Sequence, residues 1–207
     1  MQPYIEQEGS KIVMNEENQK DPNKFTEKLL KFKEDMDNLI QEAFSNDIKF
    51  QKSRDQSFQN FMNKFDNTAY NIALYSDFQM KTGLKQMSDE QIDQILSAIV
   101  RIFCCLHGRD KFINAYTNFL SHRLLNKTSV SNYAEESMIQ KLQIECGHNT
   151  VNKIKTMIQD MNKSEQVMQD FRTMRGGNTV DGMEFNTKIL TSSHWPISEI
   201  PKCNIPR

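Results

Sequence analysis

The chain has 207 residues, 37% hydrophobic and 26% charged, and its 26 Lys and Arg nearly balance its 27 Asp and Glu, for a net charge of -1. That length can bury a real core, while 7 Gly and 5 Pro are too few turn-formers for an all-β fold. No basic excess or stripe favours nucleic acid, and no run of about 18 apolar residues predicts a membrane span or a leader.

Residues 15–23 are almost without apolar anchors and read as a loop. Asp21-Pro22 then gives a helix start, with a carboxylate at the cap and a Pro whose missing N–H costs nothing there. Phe25, Leu29, Phe32, Met36, Leu39, Ile40, Ala43 and Phe44 follow in steps of three and four, which predicts a long amphipathic helix. Asn46-Asp47 caps a second helix carrying Phe50, Phe58, Phe61, Met62 and Phe65. A third, through Tyr70, Leu74 and Phe78, is expected to stop at Gly83. Ser88 and Gln91 have capping-box spacing ahead of Ile92, Ile95, Leu96, Ile99, Val100 and Phe103, and His107-Gly108 ends that helix.

Phe112, Tyr116, Phe119, Leu120 and Leu124 mark another helix, followed by a polar loop over 126–133. Met138, Ile139 and Leu142 lead to a stop at Cys146-Gly147, and Val151, Ile154, Met157, Ile158 and Met161 begin a last helix. Arg175-Gly176-Gly177-Asn178 reads as a turn. Near the end the period changes to two over Phe185–Leu190, which predicts one strand, and a lone strand needs a partner to satisfy its edges. The tail 195–207, with Pro196, Pro201 and Pro206, is expected to be extended. About eight helices and one strand make an all-α fold class.

Residues that could carry chemistry do not converge. There is no P-loop and no dinucleotide fingerprint, and His107, His122, His148 and His194 are isolated. Four scattered cysteines, Cys104, Cys105, Cys146 and Cys203, form no disulfide framework, so cytosol or nucleus is the expected location. Cys146 stands by Glu145 at a helix C-terminus, without the positive charge that favours a thiolate. Adjacent Glu135-Glu136 and Glu16-Glu17 diverge around a helix. No catalytic site, metal or cofactor is therefore expected. Trp195, the only Trp, suits a partner pocket and simple packing equally.

The segment DKFINAYTNFLSHRLLNKTSVSNYAEESMIQKLQIECGHNTVNKIKTMIQD (110–160) resembles the signature region of the cullin family. Asp110, Phe112, Tyr116, Leu120, Arg123, Leu124 and Leu125 match its first run. Ser129, Ser131, Glu135, Met138, Ile139, Lys141, Leu142, Glu145, Cys146 and Gly147 match its second. AFSNDIKFQ (43–51), KTGLKQMSDEQIDQIL (81–96) and KILTSSHWP (188–196) resemble further family elements. Asn126-Lys127, Ser129-Val130-Ser131 and Pro201–Pro206 are similar to the class that recruits BTB-domain adaptors. Departures fall at Ser121-His122, at Asn132-Tyr133 and at Thr150-Val151.

The resemblance implies a non-catalytic scaffold segment of a multisubunit ubiquitin ligase. Residues 1–106 would form the last cullin-repeat helical bundle and 107–182 much of a four-helix bundle. Residues 183–207 would begin the α/β domain that cradles a RING protein. The implied partners are a RING-box protein and a BTB-type substrate adaptor, both reached through a longer parent protein, with no nucleic acid and no membrane. Phe185, Ile189, Leu190 and Trp195 are the candidate contacts on the RING side. The adaptor-binding tip, most of the RING cradle and the lysine that accepts a ubiquitin-like modifier would lie elsewhere in such a parent. The alternative is a cullin-derived building block of a larger assembly without ligase activity.

Overall fold

The computed structural model describes residues 1–177, 179, 180 and 182–196. Helix α1 (Gln2–Met14) is followed by a short α2 (Glu16–Lys20) where a loop was expected. The reason is capping by side-chain amides. Asn15 accepts from the Asn18 N–H at 3.0 Å, while Asn18 and Gln19 donate to the Ile12 and Val13 carbonyls that end α1, at 3.0 and 2.8 Å. Helix α3 (Pro22–Phe44) starts at the expected cap, Asp21 accepting from the N–H groups of Asn23 and Lys24. It stops where Ser45 and Asn46 take left-handed φ of 47° and 59°.

Helices α4 (Ile48–Met62) and α5 (Thr68–Phe78) follow, and α5 widens into a π-helical turn over Gln79–Gly83. That turn leaves the Met80 carbonyl to accept from the Val130 N–H at 2.8 Å, docking the 127–131 loop on the end of α5. Both hydrogen bonds of the Ser88/Gln91 capping box are present at the start of α6 (Asp89–Phe103). Then come α7 (Arg109–Asn126), α8 (Asn132–Cys146) and α9 (His148–Arg175). Two two-residue strands, β1 (Thr179–Val180) and β2 (Met183–Glu184), close an antiparallel hairpin.

The strand expected over Phe185–Leu190 is not formed. The pairing falls just before it, and the 185–190 backbone lies outside any strand. The Ile189 N–H is taken instead by the Ser164 hydroxyl on α9, at 2.8 Å. The similarity at Pro201–Pro206, and Cys203, lie outside the described residues.

Helix α1 packs on α3 and α4, α5 lies between α3 and α7, α6 packs on α8, and α7 and α8 pack on α9. Apart from Ile40 and Met168, the buried apolar side chains of the described residues form one cluster from Ile5 to Trp195. Helix α5 is buried on almost all sides, Ala69, Ile72, Ala73 and Tyr75 being joined by Thr68, Asn71, Ser76 and Asp77. Position 106/107 falls in the turn between α6 and α7, and α5 and α6 contact α7 and α8 across it.

Candidate functional site

Tyr116, Leu120 and Arg123 share one face of α7 at helical spacing, so Arg123 enters the core with the apolar stripe and is fully buried. Its guanidinium forks onto Glu135 of α8, Nε to Oε1 at 2.7 Å and Nη2 to Oε2 at 2.9 Å, while Nη1 reaches Asp77 Oδ1 of α5 at 2.7 Å. The Tyr116 ring lies 5.2 Å away under the guanidinium, and its hydroxyl donates to Glu135 at 3.2 Å. Ser129 of the 127–131 loop donates to the same carboxylate at 2.7 Å, and Lys81 to Asp77 at 2.7 Å. Two cations face two carboxylates, every group hydrogen-bonded, as a buried charge requires. Burial, with the Glu135 charge beside it, pushes the Tyr116 phenol well above its ordinary range. The cluster pins α5, α7, α8 and the loop together.

A second polar centre lies on α9. Asp160, buried, accepts from the Thr191 N–H at 2.7 Å, the Thr191 hydroxyl at 2.9 Å and the Trp195 Nε1–H at 2.8 Å. Burial works to raise its pKa, but those hydrogen bonds prevail and hold the carboxyl below its usual value. The four candidate contact residues therefore do not share a surface. Trp195 packs inward on Asp160 and Leu190 is half-buried against the core. Phe185 and Ile189 are 41% and 54% exposed, the Phe185 ring tilting against Phe171 of α9 at 5.3 Å. Asp160 was legible as an acid in phase with Met157, Met161 and Ser164, on the apolar face of its helix.

Among the described residues the three thiols, Cys104, Cys105 and Cys146, are not activated. Burial, then the nearby Glu145, pushes Cys104 up to about 12, burial pushes Cys105 up to about 11, and burial raises Cys146. Among the described residues no three His, Cys, Asp or Glu gather as metal ligands, and no helix is long and apolar enough to cross a membrane.

Stacked helices that share one core, with the buried Arg123 and Asp160 bonded between elements, define an all-α fold. The family model of the cullin alpha solenoid domain matches residues 1–168. The chain is 36% identical over 205 residues to Cullin-3 of Dictyostelium discoideum, covering 99% of this chain and 27% of that protein. It is 32% identical over 206 residues to Cullin-3A of Arabidopsis thaliana (100% of this chain, 28% of that one). With Cullin-4A of Mus musculus it shares 33% over 205 residues (98% and 27%). The chain belongs to the cullin family, and it spans 27–28% of the length of these relatives. Two of the three are Cullin-3 proteins, which fits the subclass resemblance at 126–131.

Proposed function

We propose that this chain is a rigid, non-catalytic segment of a cullin-RING ubiquitin-ligase scaffold, linking the substrate-adaptor end to the RING end. The observation that carries this reading is the unbroken core from Ile5 to Trp195, in which α5 and α6 pack onto α7 and α8 around the buried Arg123 cluster. A scaffold works by holding substrate and charged enzyme at a set separation, which raises their effective concentration, and a hinge would dilute it. Residues 1–106 act as the final repeat, 107–182 as bundle, and 183–207 as the entry to the RING cradle. Phe185 and Ile189 supply exposed apolar contact toward the RING-box protein, and Leu190 and Trp195 position them. The BTB-type adaptor is bound elsewhere in the full-length parent, in cytosol or nucleus. Affinity purification of that parent tests the reading. A RING-box protein and BTB proteins are expected to co-purify. Their absence, with the chain found in another assembly, would establish the building-block alternative.

A further inference from the structure

The chain that returns along α9 is fastened there by one carboxylate. Asp160 Oδ2 accepts from the Thr191 N–H at 2.7 Å and from the Trp195 Nε1–H at 2.8 Å, and Oδ1 accepts from the Thr191 hydroxyl at 2.9 Å. Asp160 and Trp195 are each 6% exposed, whereas Thr191 lies at the surface. A hydroxyl is thus the outward member of a buried latch. One turn along α9, Ser164 bonds both the N–H and the carbonyl of Ile189, and the 185–191 backbone belongs to no helix or strand. Side chains of α9, rather than a backbone ladder, hold this segment down, so it can lift locally while the helices stay packed. An exposed segment that lifts as extended chain is open to a modifying enzyme.

The hydroxyls next to Thr191 are placed differently. Ser192 and Ser193 are exposed as well, but the Ser193 hydroxyl lies 3.1 Å from His194 Nδ1, and neither serine bonds Asp160. Among the three, position 191 alone brings an added charge onto the latch. A phosphate ester carries about −1.5 to −2 charge and has lost the hydroxyl proton, so it forfeits the bond to Oδ1 and sets a second anion against Asp160. Lys163, exposed on α9, is a cation that favours the Asp160 charge. A single lysine does not balance a carboxylate and a phosphate dianion together, and like charges held at bonding distance part.

We propose that Thr191 is a phosphorylation site whose modification releases the 189–195 segment from Asp160 and uncovers Trp195. A serine/threonine protein kinase supplies the group from a nucleoside triphosphate. The Oγ1–P bond forms as the β,γ-phosphoanhydride bond breaks, the nucleoside diphosphate leaves, and the hydroxyl proton passes to the kinase's base. The proposal stands on the latch and does not depend on the ligase reading. Mass spectrometry of the parent protein, purified from its own cells with phosphatases inhibited, is expected to find phosphate on Thr191. In the 207-residue chain, NMR follows the indole N–H of Trp195, the only Trp. In Thr191→Glu its exchange with solvent is expected to be about tenfold faster or more, with Trp195 emission at longer wavelength and unchanged far-UV circular dichroism. Ser192→Glu is expected to behave as wild type. Asp160→Asn is expected to shrink the effect of Thr191→Glu, because the amide carries no charge to repel. An unmodified Thr191, an indole that stays protected in Thr191→Glu, or an equal response to Ser192→Glu would overturn the proposal. So would a Thr191→Val variant that frees the indole as fully as Thr191→Glu, since charge would then not be the cause.

Discussion

Arg123 shows what a single residue does here. A charge with no exposed surface is tolerable only because Asp77, Glu135 and the Tyr116 ring meet it. Removing one partner strands the others, which costs about 3–5 kcal/mol for a buried pair. Arg123→Leu is therefore expected to lower urea stability by about that amount. Arg123→Leu combined with Glu135→Gln should recover part of the loss, because a neutral amide is cheaper to bury than an unpaired carboxylate. Arg123→Lys keeps the charge but loses the fork, and should fall between wild type and Arg123→Leu. Urea titrations of the four proteins check the order, and a Leu variant as stable as wild type would remove the joint from the account. The phase of Arg123 with Tyr116 and Leu120 was visible in the sequence. Its bond to Asp77, 46 residues away, was not, because nothing local encodes which helix an inward charge will meet.

Elements were legible where local chemistry decides them and illegible where it does not. Asp21, Asp47 and Ser88 each cap the helix that follows, as their side chains and spacing indicate. The 15–20 segment lacked apolar anchors, yet amide side chains turned it into α2 by bonding the end of α1. The 185–190 alternation suggested a strand, but Ser164 and Asp160 supplied the partners that a sheet would have given. Gly9 in α1 is a similar case. A Cβ there would lie 2.4 Å from Cε1 of the buried Phe61 ring of α4. Alanine would gain about 1 kcal/mol of helix propensity, but parting two packed helices costs about 1–3 kcal/mol. Phe61 is fully buried among Phe32 and Phe58, so it cannot swing aside and the clash prevails. Gly9→Ala is expected to be destabilising by up to about 2 kcal/mol in urea. A stabilised variant would show that α1 is free to lift from α4.

At the scale of the molecule the issue is whether 1–106 and 107–182 behave as separate bodies. The resemblance implied a division there, but the alpha solenoid family model runs across it over residues 1–168, and the packing joins the two parts through α5, which contacts α3 and α7 and buries Ile72, Ala73 and Tyr75. A scaffold that fixes a distance needs the joined behaviour. Trp195, the only Trp, sits 6% exposed at the far end of the shared core, bonded to Asp160. Its fluorescence therefore reports the α9 end, whereas far-UV circular dichroism averages all the helices. If the core is continuous, the two signals should follow one urea transition with the same midpoint, the criterion of two-state unfolding. Ile72→Ala, which opens a cavity between α3 and α7, should move both midpoints together, by about 2–4 kcal/mol of stability. Independent halves would give a Trp195 transition that stays in place while part of the dichroism shifts. That outcome would put a hinge near 106 and break the rigid link on which the proposed function rests, whereas a common shift means that a cavity opened in α5 is felt at Trp195, on the other side of the 106/107 boundary.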